Sequence, residues 1–138
     1  MPARSSQAVW KGDLKGGSGS MKLASGAYEG AYSYASRFED GTGTNPEELI
    51  GAAHAGCFAM AVANNLSQKG GKVNSIDVTS TVHLGKTDAG SAITHIDVVL
   101  KGDVDGIDEA TFKAAVDAGC IVSRALAAVP INVESSLV

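Results

Sequence analysis

The sequence predicts an α+β fold in which antiparallel sheet packs on one long central helix. Three observations carry that expectation. A mostly apolar stretch from Asn45 to about Lys69 opens with helix-start signals and is far longer than a strand. Strand-like segments lie on both sides of it in the chain, those before it marked by evenly spaced tyrosines and those after it by alternating β-branched residues. The order is strands, long helix, strands, helix, strand, which is not the strict alternation of a doubly wound fold.

Ala3 to Trp10 reads as a first strand, followed by a turn at Lys11-Gly-Asp and a flexible loop at Lys15-Gly-Gly-Ser-Gly-Ser20. Met21 to Ala24 is a second strand. Ala27 to Phe38 is a third, because Tyr28, Tyr32 and Tyr34 are spaced by even numbers, as one face of a sheet requires. Arg37 then falls on the opposite face. Glu39 to Thr44 is a loop that delivers the chain to the central helix. Asn45 suits the N-cap, Pro46 the first helical position, and Glu47 and Glu48 the positive end of the macrodipole. After Gly70-Gly71, Val73 to Leu84 and Ala92 to Gly102 form an antiparallel hairpin around Lys86 to Ser91, followed by a loop from Asp103 to Ile107. Asp108 caps a helix through Phe112 and Val116. Gly119 interrupts it, Cys120 to Val129 is a second helical piece ended by Pro130, and Ile131 to Leu137 is a terminal strand.

The 138 residues suit one domain, residues 1–138, without repeat, low-complexity tract or linker. A net charge of −4 argues against nucleic acid or an anionic membrane surface as the main partner. Met1-Pro-Ala-Arg-Ser-Ser has no apolar run behind its charge, so a secretory signal is not expected and a cytoplasmic location is. The central stretch is too rich in small residues, and too tied to polar flanks, to read as a membrane span. Two cysteines read as reduced or redox-active thiols rather than a structural staple. No metal is expected: a four-ligand set cannot be drawn from two Cys and three scattered His.

No clear polar face appears on the central helix before Asn64, so it is expected to be buried all round. At about 1.5 Å per residue it is roughly 36 Å long, as long as a small domain is wide. One small sheet covers one side. A second copy covers the other, with Gly51-Ala-Ala-His-Ala-Gly56 letting two helix backbones approach closely. The expectation is an obligate two-fold homodimer with antiparallel, mutually buried central helices.

Cys57 and Cys120 each admit the reading of a small buried hydrophobe. Both fall in helical segments, while Arg37 lies one loop before the central helix and Glu47 at its start. A thiolate attacks a peroxide oxygen, a nearby cation lowers a thiol's pKa, and a carboxylate across the guanidinium fork fixes its aim. Arg37 as a surface strand residue and Glu47 as simple helix-start electrostatics are the plainer alternatives. His54 reads as a packed or interface histidine, and His83 and His95 as sheet-surface residues.

Arg37-Phe-Glu-Asp-Gly-Thr-Gly-Thr-Asn-Pro-Glu-Glu-Leu-Ile-Gly-Ala-Ala-His-Ala-Gly-Cys-Phe-Ala-Met-Ala61 closely resembles the signature of the OsmC branch of the OsmC/organic hydroperoxide resistance family. Ala118-Gly-Cys-Ile-Val-Ser-Arg-Ala-Leu126 with Val129-Pro-Ile-Asn-Val133 resembles that family's second-cysteine segment. The resemblance implies an intertwined homodimer with active sites at the subunit interface, and a thiol peroxidase acting on organic hydroperoxides and less on hydrogen peroxide. It implies Cys57 as the peroxidatic cysteine, passing through a sulfenic acid, and Cys120 as the resolving cysteine that forms a disulfide with it. Arg37 is then the arginine that stabilises the thiolate, and Glu47 the carboxylate that pairs with it. The implied reductant is an external dithiol, typically a lipoylated protein, and no cofactor is implied.

Glu47 and Cys57 lie about 15 Å apart along one helix and cannot share an arginine within one chain. In an antiparallel pair crossing near Ala52, Glu47 of one chain falls level with Cys57 of the other. The expected site is therefore composite, with Arg37 supplied alongside Glu47. An oxidant sensor or binding protein of the same fold, without turnover, is the alternative.

Overall fold

Three short strands form the first sheet; the second and third alternate exposed and half-buried residues, while the first is exposed except at Trp10. Ser6–Lys11 (β1), Ser18–Leu23 (β2) and Glu29–Tyr32 (β3) pair antiparallel in the order β1-β2-β3. The flexible stretch at residues 15–20 thus already becomes strand at Ser18. The strand expected to run to Phe38 stops at Tyr32 instead. Ser33 caps a short helix, Tyr34–Phe38 (α1), by accepting from the Ser36 backbone N–H while Ser36 Oγ accepts from the Ser33 N–H. This reciprocal capping box satisfies two helix-start donors and outweighs the even tyrosine spacing. Tyr34 and Arg37 therefore project from a helix, not from a sheet face.

The computed structural model describes residues 1–138. They divide into two compact units, Met1–Leu49 and Ile50–Val138. In the first unit the only buried residues are Ser36, Thr44 and Glu47; its aromatic contacts, Trp10 with Tyr32 and Tyr34 with Phe38, remain partly open to solvent. The loop after α1 is tied back by Ser36 Oγ donating to the Thr44 carbonyl at 2.7 Å and Asn45 Nδ2 donating to the Ser36 carbonyl at 2.9 Å. Gly43 makes that path possible: its φ of +104° is a conformation other residues rarely adopt, and a Cβ there would sit 2.8 Å from the Ala31 carbonyl oxygen.

Asn45 caps the long helix, Pro46–Gln68 (α2), by accepting from the Glu48 N–H at 2.8 Å. Lys72–Thr87 (β4) and Gly90–Asp105 (β5) form the antiparallel hairpin, each running past its expected end, so Asp103 to Asp105 is strand rather than loop. Asp108 caps Glu109–Asp117 (α3) through the Thr111 N–H. The second helical piece is only Ile121–Ala125 (α4), with Cys120 as its N-cap. Ile131–Leu137 (β6) then joins β5 in parallel, so this sheet is mixed rather than purely antiparallel, in the order β4-β5-β6. The α3 and α4 segments supply the crossover that a parallel return requires.

In the second unit, α2 turns Gly51, His54, Phe58, Val62 and Leu66 inward at i, i+3 and i+4 spacing. The apolar side chains among them join Ile96, Val98, Leu100, Phe112 and Val116 in one core. Within the chain the helix is covered on one side only, as expected of a chain with one small sheet to cover it. Ala52, Ala53, Gly56 and Met60 face outward, and Met60 is 75% exposed. One stripe of the helix is covered, and a second, made of small residues and Met60, is not. By length and composition alone α2 is sufficient to cross a membrane.

Candidate active site

Cys57 lies on α2 one turn beyond His54. His54 is fully buried, and both of its ring nitrogens are engaged. Nδ1 meets Ser80 Oγ of β4 at 3.0 Å, and Nε2 meets Ser123 Oγ of α4 at 2.8 Å. The ring thus ties the helix to a strand and to the segment carrying the second cysteine. Burial lowers the His54 pKa, favouring the neutral ring, which donates from one nitrogen and accepts at the other. The sequence reading of a packed histidine holds. Its two serine partners are 26 and 69 positions away and gave no signal in the sequence.

Cys120 is delivered by Gly119, whose φ of +65° turns the chain sharply after α3. The Cys120 sulfur then acts as helix cap. It accepts from the Ser123 N–H at 3.3 Å and lies 3.2 Å from Ser123 Oγ. Cys57 packs against the core cluster that contains Cys120. Burial pushes the Cys120 thiol up, but hydrogen bonds, chiefly those with the Ser123 side chain and backbone, outweigh it. The net result is a pKa below the usual thiol value. Both cysteines are free thiols; Cys57 is partly exposed and Cys120 is buried. The structure therefore packs the two cysteines singled out in the sequence on one core and adds Ser123, which links Cys120 to His54.

In the first unit, Arg37 and Glu47 form a bidentate pair. Arg37 Nη2 donates to Glu47 Oε1 at 2.7 Å, and Nε lies 3.2 Å from both carboxylate oxygens. The Glu47 side chain is 9% exposed and that of Arg37 is 38% exposed, so the carboxylate is sunk and the guanidinium reaches solvent. The expected fork between these two residues is present, formed within one chain. Beside it, Trp10, Leu14, Tyr32, Tyr34, Phe38 and Arg37 line an apolar cavity of about 400 Å³. Phe58 is core, at 1% exposure.

The second unit offers two free thiols, one with its pKa below the usual thiol value, and the first unit a buried carboxylate paired with a solvent-facing guanidinium beside an apolar cavity. The model of the OsmC-like protein family matches residues 39–135. Peroxiredoxin OsmC of Escherichia coli strain K12 is 48% identical over 126 residues, covering 88% of each chain, and Peroxiredoxin OsmC of Shigella flexneri matches to the same degree. Among solved structures, the OsmC-like protein from Mycoplasma pneumoniae superposes with a TM-score of 0.76 at 16% identity, covering 99% of this chain and 98% of that one. The organic hydroperoxide resistance protein OhrB of Bacillus subtilis does so with a TM-score of 0.70 at 22% identity, covering 96% and 98%. At those identities the likeness is one of fold. The family match across most of the chain, with relatives identical at nearly half their positions, makes this chain a member of the OsmC-like protein family.

Proposed function

We propose that this chain is a thiol-dependent peroxidase that reduces organic hydroperoxides, and hydrogen peroxide less efficiently. The observation that carries the reading is the two free thiols packed on one core, with Cys120 made more acidic by its hydrogen bonds with Ser123. The 48% identity to proteins called Peroxiredoxin OsmC supports it. The Cys57 thiolate attacks the terminal oxygen of the hydroperoxide. The O–O bond breaks, the alkoxide leaves and takes up a proton to become the alcohol, and Cys57 becomes a sulfenic acid. The Cys120 thiolate then attacks the Cys57 sulfur and expels hydroxide, which leaves as water, closing a Cys57–Cys120 disulfide. An external dithiol, of the kind carried on a lipoylated protein, reduces the disulfide through a mixed disulfide. A cytoplasmic location suits that reductant. No cofactor takes part.

The working unit is a two-fold homodimer in which residues 1–138 act as one domain. Three observations support this. The outward stripe of α2 is apolar, with Met60 largely exposed. Ile121, beside Cys120, is 72% exposed. The first sheet buries no apolar side chain, and a small sheet needs an apolar face covered to be stable. A second copy covers these surfaces, in place of lipid along α2. Arg37 uses Nε and Nη2 to hold Glu47, which leaves Nη1 to face a thiolate. Glu47 and Cys57 are about 15 Å apart along α2, so the thiolate that this guanidinium steadies is the Cys57 of the other copy.

Purified protein supplied with cumene hydroperoxide and dihydrolipoamide turns over, and Cys57→Ser does not. Rapid Cys57–Cys120 disulfide formation without turnover would assign the chain to oxidant sensing instead. Mixing inactive Cys57→Ser and Glu47→Ala chains restores activity in heterodimers, whereas no rescue would place each site within one chain.

A further inference from the structure

His83 on β4 and His95 on β5 are direct cross-strand partners. The turn alone does not produce that pairing. From Thr87↔Gly90 to Leu84↔Ile93 the hairpin is in one register, and between Leu84 and His83 it shifts by one residue. The shift leaves Thr94 unpaired in β5 and brings both imidazoles to the outward face of the sheet. Bulges of this kind re-aim side chains and cluster at functional sites.

The two rings stack with centroids 4.0 Å apart and planes 7° from parallel. Both Nε2 atoms point at one carboxylate oxygen. Asp97 Oδ2 lies 2.9 Å from His83 Nε2 and 3.5 Å from His95 Nε2. Two imidazole nitrogens and one carboxylate oxygen thus converge, all within 4.8 Å of one another. Ligands about 2.0–2.2 Å from a tetrahedral zinc ion stand roughly 3.3–3.5 Å from each other, so these separations bracket the required spacing.

The surroundings hold the three groups in that pose. Asn132 Nδ2 on β6 donates to Asp97 Oδ1 at 3.0 Å, leaving Oδ2 as the inward-facing oxygen. Thr94 Oγ1 donates to the His83 carbonyl at 3.4 Å and lies 3.0 Å from His95 Nδ1. With its proton used on the carbonyl, the hydroxyl accepts from Nδ1–H, which puts the His95 lone pair on Nε2. That lone pair then faces Asp97 Oδ2, acceptor against acceptor, a conflict that a cation between them resolves. Fixing the tautomer of a ligating histidine through its other nitrogen is the usual outer-shell arrangement of metal sites. The side chains are 38%, 40% and 47% exposed, so water can complete the coordination.

We propose that His83, His95 and Asp97 form a solvent-facing binding site for a late first-row transition-metal dication such as zinc, separate from the thiol chemistry. Two imidazoles and one carboxylate with open positions are a donor set suited to such ions, whereas magnesium and calcium prefer all-oxygen sites.

The test is calorimetric titration of the untagged full-length chain with Zn²⁺, in a Cys57→Ser, Cys120→Ser background so that thiolates do not contribute. One equivalent is expected to bind per chain. His83→Ala, His95→Ala and Asp97→Asn should each weaken binding by more than about tenfold, and Thr94→Val by about tenfold. The Co²⁺ adduct should show visible ligand-field bands that disappear in His95→Ala. With the cysteines present, the same three variants should retain hydroperoxide turnover and their circular dichroism, showing that they are folded. Absence of one-to-one binding, or binding unchanged in the three variants, would overturn the proposal and leave the cluster a plain cross-strand contact. Either result stands apart from whether the thiols turn over.

Discussion

Ser123→Ala is a sharp probe of how the second unit couples packing to thiol chemistry. One hydroxyl serves two partners: it lies 2.8 Å from His54 Nε2 and 3.2 Å from Cys120 Sγ. Removing it leaves a ring nitrogen of a fully buried histidine without a partner, and an unsatisfied buried polar group costs about 1–3 kcal/mol. For a chain of this size that is a fall in Tm of roughly 4–12 °C. The same change removes a hydrogen bond that holds the Cys120 pKa down, so that thiol titrates at higher pH. Urea unfolding at fixed protein concentration reads the first effect. Thiolate ultraviolet absorbance of Cys120, in a Cys57→Ser background, reads the second. Ser80→Ala is the comparison: it unpairs the other nitrogen of the same ring and should destabilise to a similar degree, but it leaves the Cys120 titration where it was. If Ser123→Ala shifts neither quantity, or if Ser80→Ala moves the Cys120 titration equally, the coupling argued here is wrong.

Stability should also depend on pH through His54. Its folded pKa lies below the unfolded value of about 6.5, so the unfolded chain takes up the proton first. Unfolding free energy therefore declines as pH falls from about 6.5 towards the folded pKa, then levels, and this part of the slope is absent in His54→Gln. Met60→Lys puts a charge on the outward stripe of α2 and should convert the proposed dimer to monomer, as read by light scattering beside the parent chain. Gly43→Ala forces a side chain into a left-handed turn and against the Ala31 carbonyl, and should destabilise by more than about 1 kcal/mol in a denaturant titration.

What the sequence disclosed, and what it withheld, follows from how far each feature reaches along the chain. The start of α2 was legible because its signals are local: Asn45, Pro46, Glu47 and Glu48 stand in consecutive positions. The pairing of Arg37 with Glu47 and of Cys57 with Cys120 was implied by resemblance; the first is present as a bidentate ion pair, and the two cysteines pack on one core. The helix α1 was missed because the evenly spaced tyrosines are a strand signal, while the Ser33/Ser36 box lacks the acidic residue usually sought at that position. That its own chain covers α2 on one side only was legible from the length of the helix and the small size of the rest; which residues face outward was not, because composition reports how apolar a helix is and not which stripe is covered. The parallel direction of β6 depends on the α3–α4 crossover, which no strand pattern encodes. The His83–His95 pairing hinges on a one-residue bulge; an unbroken register from the same turn would set His83 opposite Thr94. The serines that hold His54 are far apart in sequence, and a serine carries no periodic signal.

One consequence concerns the cap of α4. In the reduced chain the Cys120 sulfur accepts the Ser123 amide, and as a thiolate it would be a charged acceptor. In a disulfide the same atom is neutral and a poorer acceptor. Each turn of the proposed cycle would thus loosen and retighten the first turn of a five-residue helix. Amide exchange at Ser123 then becomes a gauge of oxidation state, and a reductant arriving at the protein would meet a softer surface than the peroxide did.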